Sequence, residues 1–369
     1  MILSRAGYLA IKEESISGRY LINDQILEYL KKVSSDFKVD ILGVSVEDRN
    51  IQSITLGSGS TRILMWSQMH GNESTTTKAV LDFINFMGSN AQAVKDIVAH
   101  CTIKIVPMLN PDGAERYTRA NANNIDLNRD AQERSQPESQ ILKEVYDGFR
   151  PDYCFNLHDQ RTIFNVGSTS KPATLSFLAP AHDEERTISA TRALSMQLIV
   201  AMNKVLQRLI PGQVGRYDDS FNANCVGDAF QMLNTPTVLF EAGHYHEDYQ
   251  RERTREYVFY AILTAVDTIA KDGVSTYEQS EYFDVPENNT LFFDIVVKNA
   301  EVINISSEAK SDFGLLYAEE LGEGEINFIP KIKKTGDLRP YFGHKVFNCL
   351  NSSSLKDLKK QSFWKDVSS

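Results

Sequence analysis

His70 and Glu73 stand three residues apart in the run His70-Gly71-Asn72-Glu73, directly after the apolar stretch ILMWSQM. An imidazole and a carboxylate at that spacing, where a strand end opens into a helix, can reach one metal ion. His158, which closes the apolar run YCFNL, offers a third donor. Two neutral nitrogens and one carboxylate form a three-ligand zinc set with a fourth position free for water, the pattern of a catalytic rather than a structural site. Structural four-Cys or Cys/His spacing is absent. Taken alone, His-x-x-Glu is also what a helix-capping loop with an exposed histidine looks like. Glu241 follows TPTVLF directly. Partial burial at a strand end would raise its pKa and suit it to take a proton from an activated water and return it to a leaving amine. A turn-capping or Arg-paired glutamate is the structural alternative.

The segment Ile125-Asp126-Leu127-Asn128-Arg129-Asp130 holds more polar groups than a turn requires. Arg129 can pair with a carboxylate through two parallel hydrogen bonds, and Asn128 adds donors beside it, so the two together can recognise a free C-terminus. Asp126 can hold a ligand histidine in the right tautomer. A loop closed by Asp–Arg pairs would carry the same residues. Arg119, nine residues before Asn128, can stabilise the oxyanion of a tetrahedral intermediate. Arg116 competes for that role, and a solvated surface arginine is the plainer reading of either.

These residues need a scaffold that gathers them. Apolar β-type runs end at His70, Asn110, His158 and Glu241. In an open α/β sheet, ligands bind beyond the carboxyl ends of the strands, so the four positions are expected on one edge. VDILGVSV and NIQSITLG read as a hairpin, and TRILMW as a buried strand. Helix patterns cover about 24–32, 74–87 (capped by Ser74 and ended by Gly88), 138–149, 184–209 and 249–271. Strands alternating with helices imply a largely parallel sheet covered on both faces. After Gly273 the pattern changes to short β-type runs, TLFFDIVV, AEVINI, INFIPKI and HKVFNCL, with a polar, loosely ordered tail that Phe363 and Trp364 could anchor. The expected division is 1–275 for the α/β domain and 276–369 for a small β-rich domain.

The set His70-x-x-Glu73, Asn110-Pro111-Asp112-Gly113, Asp126-Leu127-Asn128-Arg129, His158 and Glu241 resembles the M14 zinc metallocarboxypeptidases, in the family's order and over roughly residues 15–272. The resemblance implies a three-layer α/β/α sandwich around a mixed, mostly parallel eight-stranded sheet. It implies one zinc ion on His70, Glu73 and His158, Arg119 at the oxyanion, Asn128 and Arg129 on the substrate's terminal carboxylate, and Glu241 as general base. The implied substrate is a peptide with a free C-terminal carboxylate. Departures are visible: Glu73 and His158 are only 85 positions apart, which implies trimmed loops, and Asp130 stands where an asparagine often follows the arginine. Tyr217 lies where the family's mobile tyrosine is expected, with a poor local match. Asp228 lies near the stretch that lines the specificity pocket. Pointing inward it would favour a basic C-terminal residue, although a helix cap or surface position is the simpler expectation.

The net charge of -10 argues against nucleic acid or an anionic membrane as the main partner. The 42% apolar and 24% charged composition is that of an ordinary soluble protein, with no run long enough to span a bilayer. The N-terminus does not read as a secretory signal, and the four cysteines are far apart, so a cytoplasmic protein with reduced thiols is expected. His244, His246 and Glu247 invite a second-metal reading, but exposed histidines between a strand and a helix are expected instead. His100 and His182 read as incidental, and His344 is assigned no role. An N-acyl amino-acid deacylase of the succinylglutamate desuccinylase or aspartoacylase type shares His-x-x-Glu, a later histidine and a base glutamate. A binding protein that has lost catalysis would lack a ligand or the base, and all four are present. The β region could shield the groove, mediate dimerisation or bind a partner, and the sequence does not give the oligomeric state.

Overall fold

The computed structural model describes residues 2–303 and 312–368. Two helices, Arg5–Leu9 (α1) and Asn23–Val33 (α2), precede the hairpin Lys38–Val44 (β1) and Asn50–Leu56 (β2). Then come Thr61–Ser67 (β3), Thr75–Met87 (α3), Gln92–His100 (α4), Cys101–Val106 (β4) and Pro111–Arg116 (α5). Pro137–Phe149 (α6), Tyr153–Asp159 (β5), Asn165–Val166 (β6) and Leu175–Leu178 (β7) follow. Ala190–Leu206 (α7), Val214–Arg216 (β8), Val226–Met232 (α8), Thr237–Ala242 (β9) and Glu252–Ala270 (α9) complete the first part.

Eight strands form one mixed sheet in the order β1-β2-β4-β3-β5-β9-β7-β8. Its centre, β4-β3-β5-β9, is parallel, and so is the β7–β8 edge. The remaining three pairings, β1–β2, β2–β4 and β7–β9, are antiparallel. The central strands are continuous apolar runs because both faces are covered. Ile63, Leu64, Met65 and Trp66 of β3 are all fully buried. On one face α3, α7 and α9 close the larger core, and on the other Ile141, Leu142 and Tyr146 of α6 and Phe230 of α8 close the smaller one. This is the expected three-layer sandwich. Each buried aliphatic or aromatic side chain contributes about 1.5–3 kcal/mol, so the sheet is a rigid platform for whatever stands on its edge. Helix α3 is fixed further by buried charge: Asp82 accepts from Arg255 Nε (2.7 Å), Arg255 Nη2 (2.6 Å) and Tyr8 Oη (2.8 Å).

The second part begins with Asn288–Asn289 (β10), which pairs with β6. Phe292–Lys298 (β11), Asp312–Gly322 (β12), Glu325–Gly336 (β13) and Phe342–Asn348 (β14) form a separate sheet in the order β13-β12-β11-β14. Val274, Tyr282 and Val285 still lie in the main core.

Four details depart from the sequence expectations. Helix α7 starts at Ala190, not near 184, because Asp183 closes a turn on the N–H of Thr187 (2.8 Å) and Ser189 caps the helix on the N–H of Arg192 (3.2 Å). The run AEVINI does not start as a strand: Asn299 takes a left-handed conformation (φ 56°) and Ala300–Val302 form a 3-10 turn. Residues 304–305 of that run lie outside the described residues. The polar tail is ordered as Ser352–Leu358 (α10) and Trp364–Ser368 (α11), because Leu358, Phe363 and Val367 are buried against Leu315 and Phe347. Ser74 lies at the start of α3 but makes no side-chain cap. All four cysteines are free. No helix among the described residues is long and apolar enough to cross a membrane.

Candidate active site

The exit from β3 sets the position of His70. Gln68 takes a left-handed conformation (φ 48°), and its buried amide holds the turn, with Nε2 donating to Leu21 O and Gly71 O (both 2.9 Å). At Gly71 a Cβ would fall 1.9 Å from the carbonyl carbon of Gly113, so glycine is required where these two backbones meet. The Asn-Pro-Asp-Gly segment supplies the other side of that contact. Asn110 accepts from the N–H of Gly113 (2.9 Å) and donates to Met69 O (3.1 Å), while Asp112 accepts from Ser45 Oγ (2.8 Å) and Glu47 N (3.0 Å). Asn110 therefore lies at the strand edge as expected but braces the loop.

The three donors converge. His70 Nδ1 is 2.9 Å from Glu73 Oε1, His158 Nδ1 is 2.9 Å from Glu73 Oε2, and the two imidazole nitrogens are 3.1 Å apart. One ligand atom from each of the three residues lies within 4.8 Å of the others. His70 Nε2 faces Asp126 Oδ1 at 3.0 Å. Burial opposes charge on all these groups, but the carboxylates outweigh it at His70, whose pKa is raised. At His158 burial wins and the pKa is lowered. Against burial, Glu73 is held well below the usual carboxylate range by the two imidazoles, and Asp126 by His70 and Arg119. Two ring nitrogens aimed at each other across a carboxylate are electron-rich atoms gathered around one point, and that donor set fits a zinc ion. Asp126 is the carboxylate that fixes the outer nitrogen of His70.

His158 and Glu241 are direct neighbours on the parallel strands β5 and β9. Their side chains share the sheet face that lines a cavity of about 550 Å³, together with His70 and Glu73. Glu241 is surrounded by protein but open to this cavity. Among the described residues no group donates a hydrogen bond to its carboxylate. Burial first, then the nearby Glu73 and Asp159, push its pKa well up.

Arg119 is half-exposed and bridges the site's carboxylates, with Nε on Asp126 Oδ2 (3.0 Å) and Nη1 on Glu73 Oε1 (3.3 Å). Its competitor Arg116 pairs with Glu47 and does not line the cavity. Asn128 and Arg129 both line it. Asn128 Oδ1 accepts from the N–H of Val226 at the start of α8 (3.0 Å), and Arg129 has no carboxylate partner among the described residues. Asp130 is buried and accepts from the N–H groups of Ser135 (3.0 Å) and Gln136 (3.1 Å), a loop brace. Tyr217 lines the cavity with its ring against Phe164, centroids 5.3 Å apart, and its pKa is raised by burial and by Glu241. Asp228 is neither a surface residue nor a solvated cap. It sits in the first turn of α8, buried and lining the cavity, with its pKa pushed up to about 6 by burial.

Asp159 was not anticipated. Its carboxylate accepts from the N–H groups of Thr75 (2.8 Å) and Thr76 (3.2 Å), and so caps α3, the role expected of Ser74. Its own N–H donates to Glu73 Oε2 (3.1 Å). An acid directly after His158, at a strand end facing a helix start, was the available signal. The other histidine segment differs from expectation in one respect. His246 is exposed, but His244 is buried, with its ring against Tyr249 (4.6 Å) and His344 (4.1 Å).

The zinc carboxypeptidase family model matches residues 24–190, a span that includes His70, Glu73, Asn128, Arg129 and His158. That match, over slightly less than half of the chain, supports a place in the M14 zinc carboxypeptidase family. Carboxypeptidase 2 of Trichophyton rubrum is 26% identical over 102 residues, 27% of this chain and 19% of that protein. Human carboxypeptidase D is 27% identical over 223 residues, 53% of this chain and 16% of that protein. This chain thus spans less than a quarter of these relatives' length. Among solved structures, a metallo-carboxypeptidase from Burkholderia cenocepacia has a TM-score of 0.53 at 18% identity, over 67% of this chain and 69% of that one. The carboxypeptidase A of Helicoverpa armigera has a TM-score of 0.53 at 16% identity, over 73% and 78%. They share the fold. The family match ends before Tyr217, Asp228 and Glu241, so those three rest on geometry.

Proposed function

We propose that this M14 chain is a zinc-dependent carboxypeptidase that removes the C-terminal residue of a peptide. The observation that carries this is Glu241: a cavity-facing carboxyl with no hydrogen-bond donor, one strand away from His158 in the converged donor set. His70 Nδ1, His158 Nδ1 and the Glu73 carboxylate would hold one zinc ion. When bound, zinc acidifies a water and polarises the scissile carbonyl.

The protein's own groups do the rest. Burial makes the Glu241 carboxylate a stronger base, able to take a proton from water, and its carboxylic acid is still acidic enough to return that proton to the far more basic departing amine nitrogen. Arg119 donates from Nη1 to the oxygen on which negative charge builds, exchanging part of its contact with Glu73 for that role. Arg129, lacking a carboxylate partner, binds the substrate's terminal carboxylate, with Asn128 beside it. Tyr217 closes the cavity wall next to Glu241 and excludes water. Asp228, buried in the same cavity, sets a preference for a basic C-terminal side chain, whose charge would restore the carboxylate to its ionised form.

The test is turnover of zinc-loaded chain on peptides ending in Lys or Arg, beside N-acyl amino acids. Release of the terminal basic residue is expected. Hydrolysis of the N-acyl amino acids alone would instead mark a deacylase.

A further inference from the structure

A second cavity, of about 330 Å³, adjoins the first and shares Glu73, Asp159, Gln160 and Arg161 with it. Its outer wall comes from the other sheet, from residues 316–319 of β12. Strand β12 is paired with β11 only as far as Leu315 but stays paired with β13 to Gly322. From residue 316 onward one edge of β12 therefore has no paired strand among the described residues. The N–H of Tyr317 leaves on that edge and donates to Asp294 Oδ2 (2.8 Å), and its β13 counterpart is Pro330, which has no N–H. Strand alternation then turns the N–H and C=O of Glu319 to the same open edge.

That edge is held firmly against the catalytic part. The Glu319 carboxylate accepts from buried Arg19 Nη2 (3.0 Å) and from Tyr117 Oη, and Tyr249 Oη donates to Asp294 Oδ1 (2.9 Å). Arg161, where the two cavities meet, is exposed and makes no ion pair or hydrogen bond among the described residues.

We propose that the open edge of β12 binds the substrate segment on the amino side of the scissile bond as an added strand, so that the C-terminal sheet is part of the substrate cleft. The occupant is the extended peptide itself, because the cavity abuts the one that holds the three donors, with Glu73 and Arg161 lining both. Main-chain pairing with Glu319 gives affinity without side-chain preference, and the unpaired guanidinium of Arg161 favours an acidic side chain on that segment. The proposal rests on the carboxypeptidase reading.

The experiment is a length series, two to five residues, on the zinc-loaded full chain. KM is expected to fall about ten-fold between two and four residues, as two backbone hydrogen bonds of about 0.7 kcal/mol each would produce, with kcat little changed. N-methylation of the peptide amide that pairs with Glu319 removes the gain. Glu319→Pro, which deletes the edge N–H, loses the length ratio while the two-residue substrate is still cleaved. The variant is compared with its own two-residue substrate, after circular dichroism has shown it folded. Calorimetry with peptides ending in a D-residue is expected to give the same order of affinities. A KM flat with length, or a gain untouched by both N-methylation and Glu319→Pro, overturns the proposal and leaves the peptidase reading standing. Cleavage at no length overturns both.

Discussion

The molecule holds two close pairs of imidazoles, and they do opposite things. His70 and His158 lie with ring centroids 4.7 Å apart, and His244 and His344 with theirs 4.1 Å apart. Both pairs are assembled from distant segments. The first pair is interleaved with Glu73 and backed by Asp126. The second is packed among rings: His344 stacks on Phe292 at 4.3 Å and donates from Nε2 to Thr162 O (2.8 Å), while neither nitrogen of His244 has a hydrogen-bond partner among the described residues. Burial and the neighbouring imidazole push His244 well below its ordinary pKa, and burial brings His344 down to about 4. Proximity of imidazoles does not make a metal site. A carboxylate between them supplies what a bound cation needs, because it compensates the charge that burial would otherwise forbid.

The largest expected effect separates the pairs directly. His70→Ala should lose both zinc, by elemental analysis, and measurable turnover, whereas His244→Phe should keep full zinc content. Next is Glu241→Gln, which should retain zinc while kcat falls about 10²–10⁴-fold. Wild-type rates in that variant would show Glu241 to be misassigned. In the unaltered chain the acid limb of kcat/KM should lie above the usual carboxylate range, since burial raises Glu241.

Asp126→Asn should be milder, weakening zinc about 10–100-fold in a competition titration, because it disturbs the outer nitrogen of His70 and the contact with Arg119 but removes no metal-facing donor. The smallest effect concerns the second pair and acid. Unfolded, each imidazole takes up its proton near pH 6.5, whereas folded His344 does so only at about 4, and His244 well below its ordinary value. Across that window the unfolded chain binds more protons, so stability should fall as pH drops, by up to about 1.4 kcal/mol per pH unit for each group. Replacing both histidines with phenylalanine should flatten that slope in denaturant titrations. An unchanged slope would mean that the pair is not buried neutral.

The sequence carried the first pair clearly and the second hardly at all. His70, His158 and Glu241 each stand at or just beyond the end of an apolar run, and the strand-edge rule of parallel sheets gathers such positions without further information. Glu73 came with His70 through spacing alone. What stayed hidden depends on contacts between segments far apart in the chain. Asp159 capping α3, Glu319 on Arg19 and the Gly71–Gly113 approach have no local pattern. His244 looked exposed because its neighbours are polar, and its burial comes from His344, about a hundred residues away and in the other sheet. The C-terminal tail reads as polar because its three buried side chains, Leu358, Phe363 and Val367, are widely spaced.

The most direct test of the zinc site is anomalous diffraction at the zinc edge from crystals of the chain supplied with one equivalent of zinc. A single peak bonded to Nδ1 of His70, Nδ1 of His158 and the Glu73 carboxylate, with the Glu241 carboxyl facing its open side, is the result expected. A peak between His244 and His344, or no peak among the three donors, would contradict it.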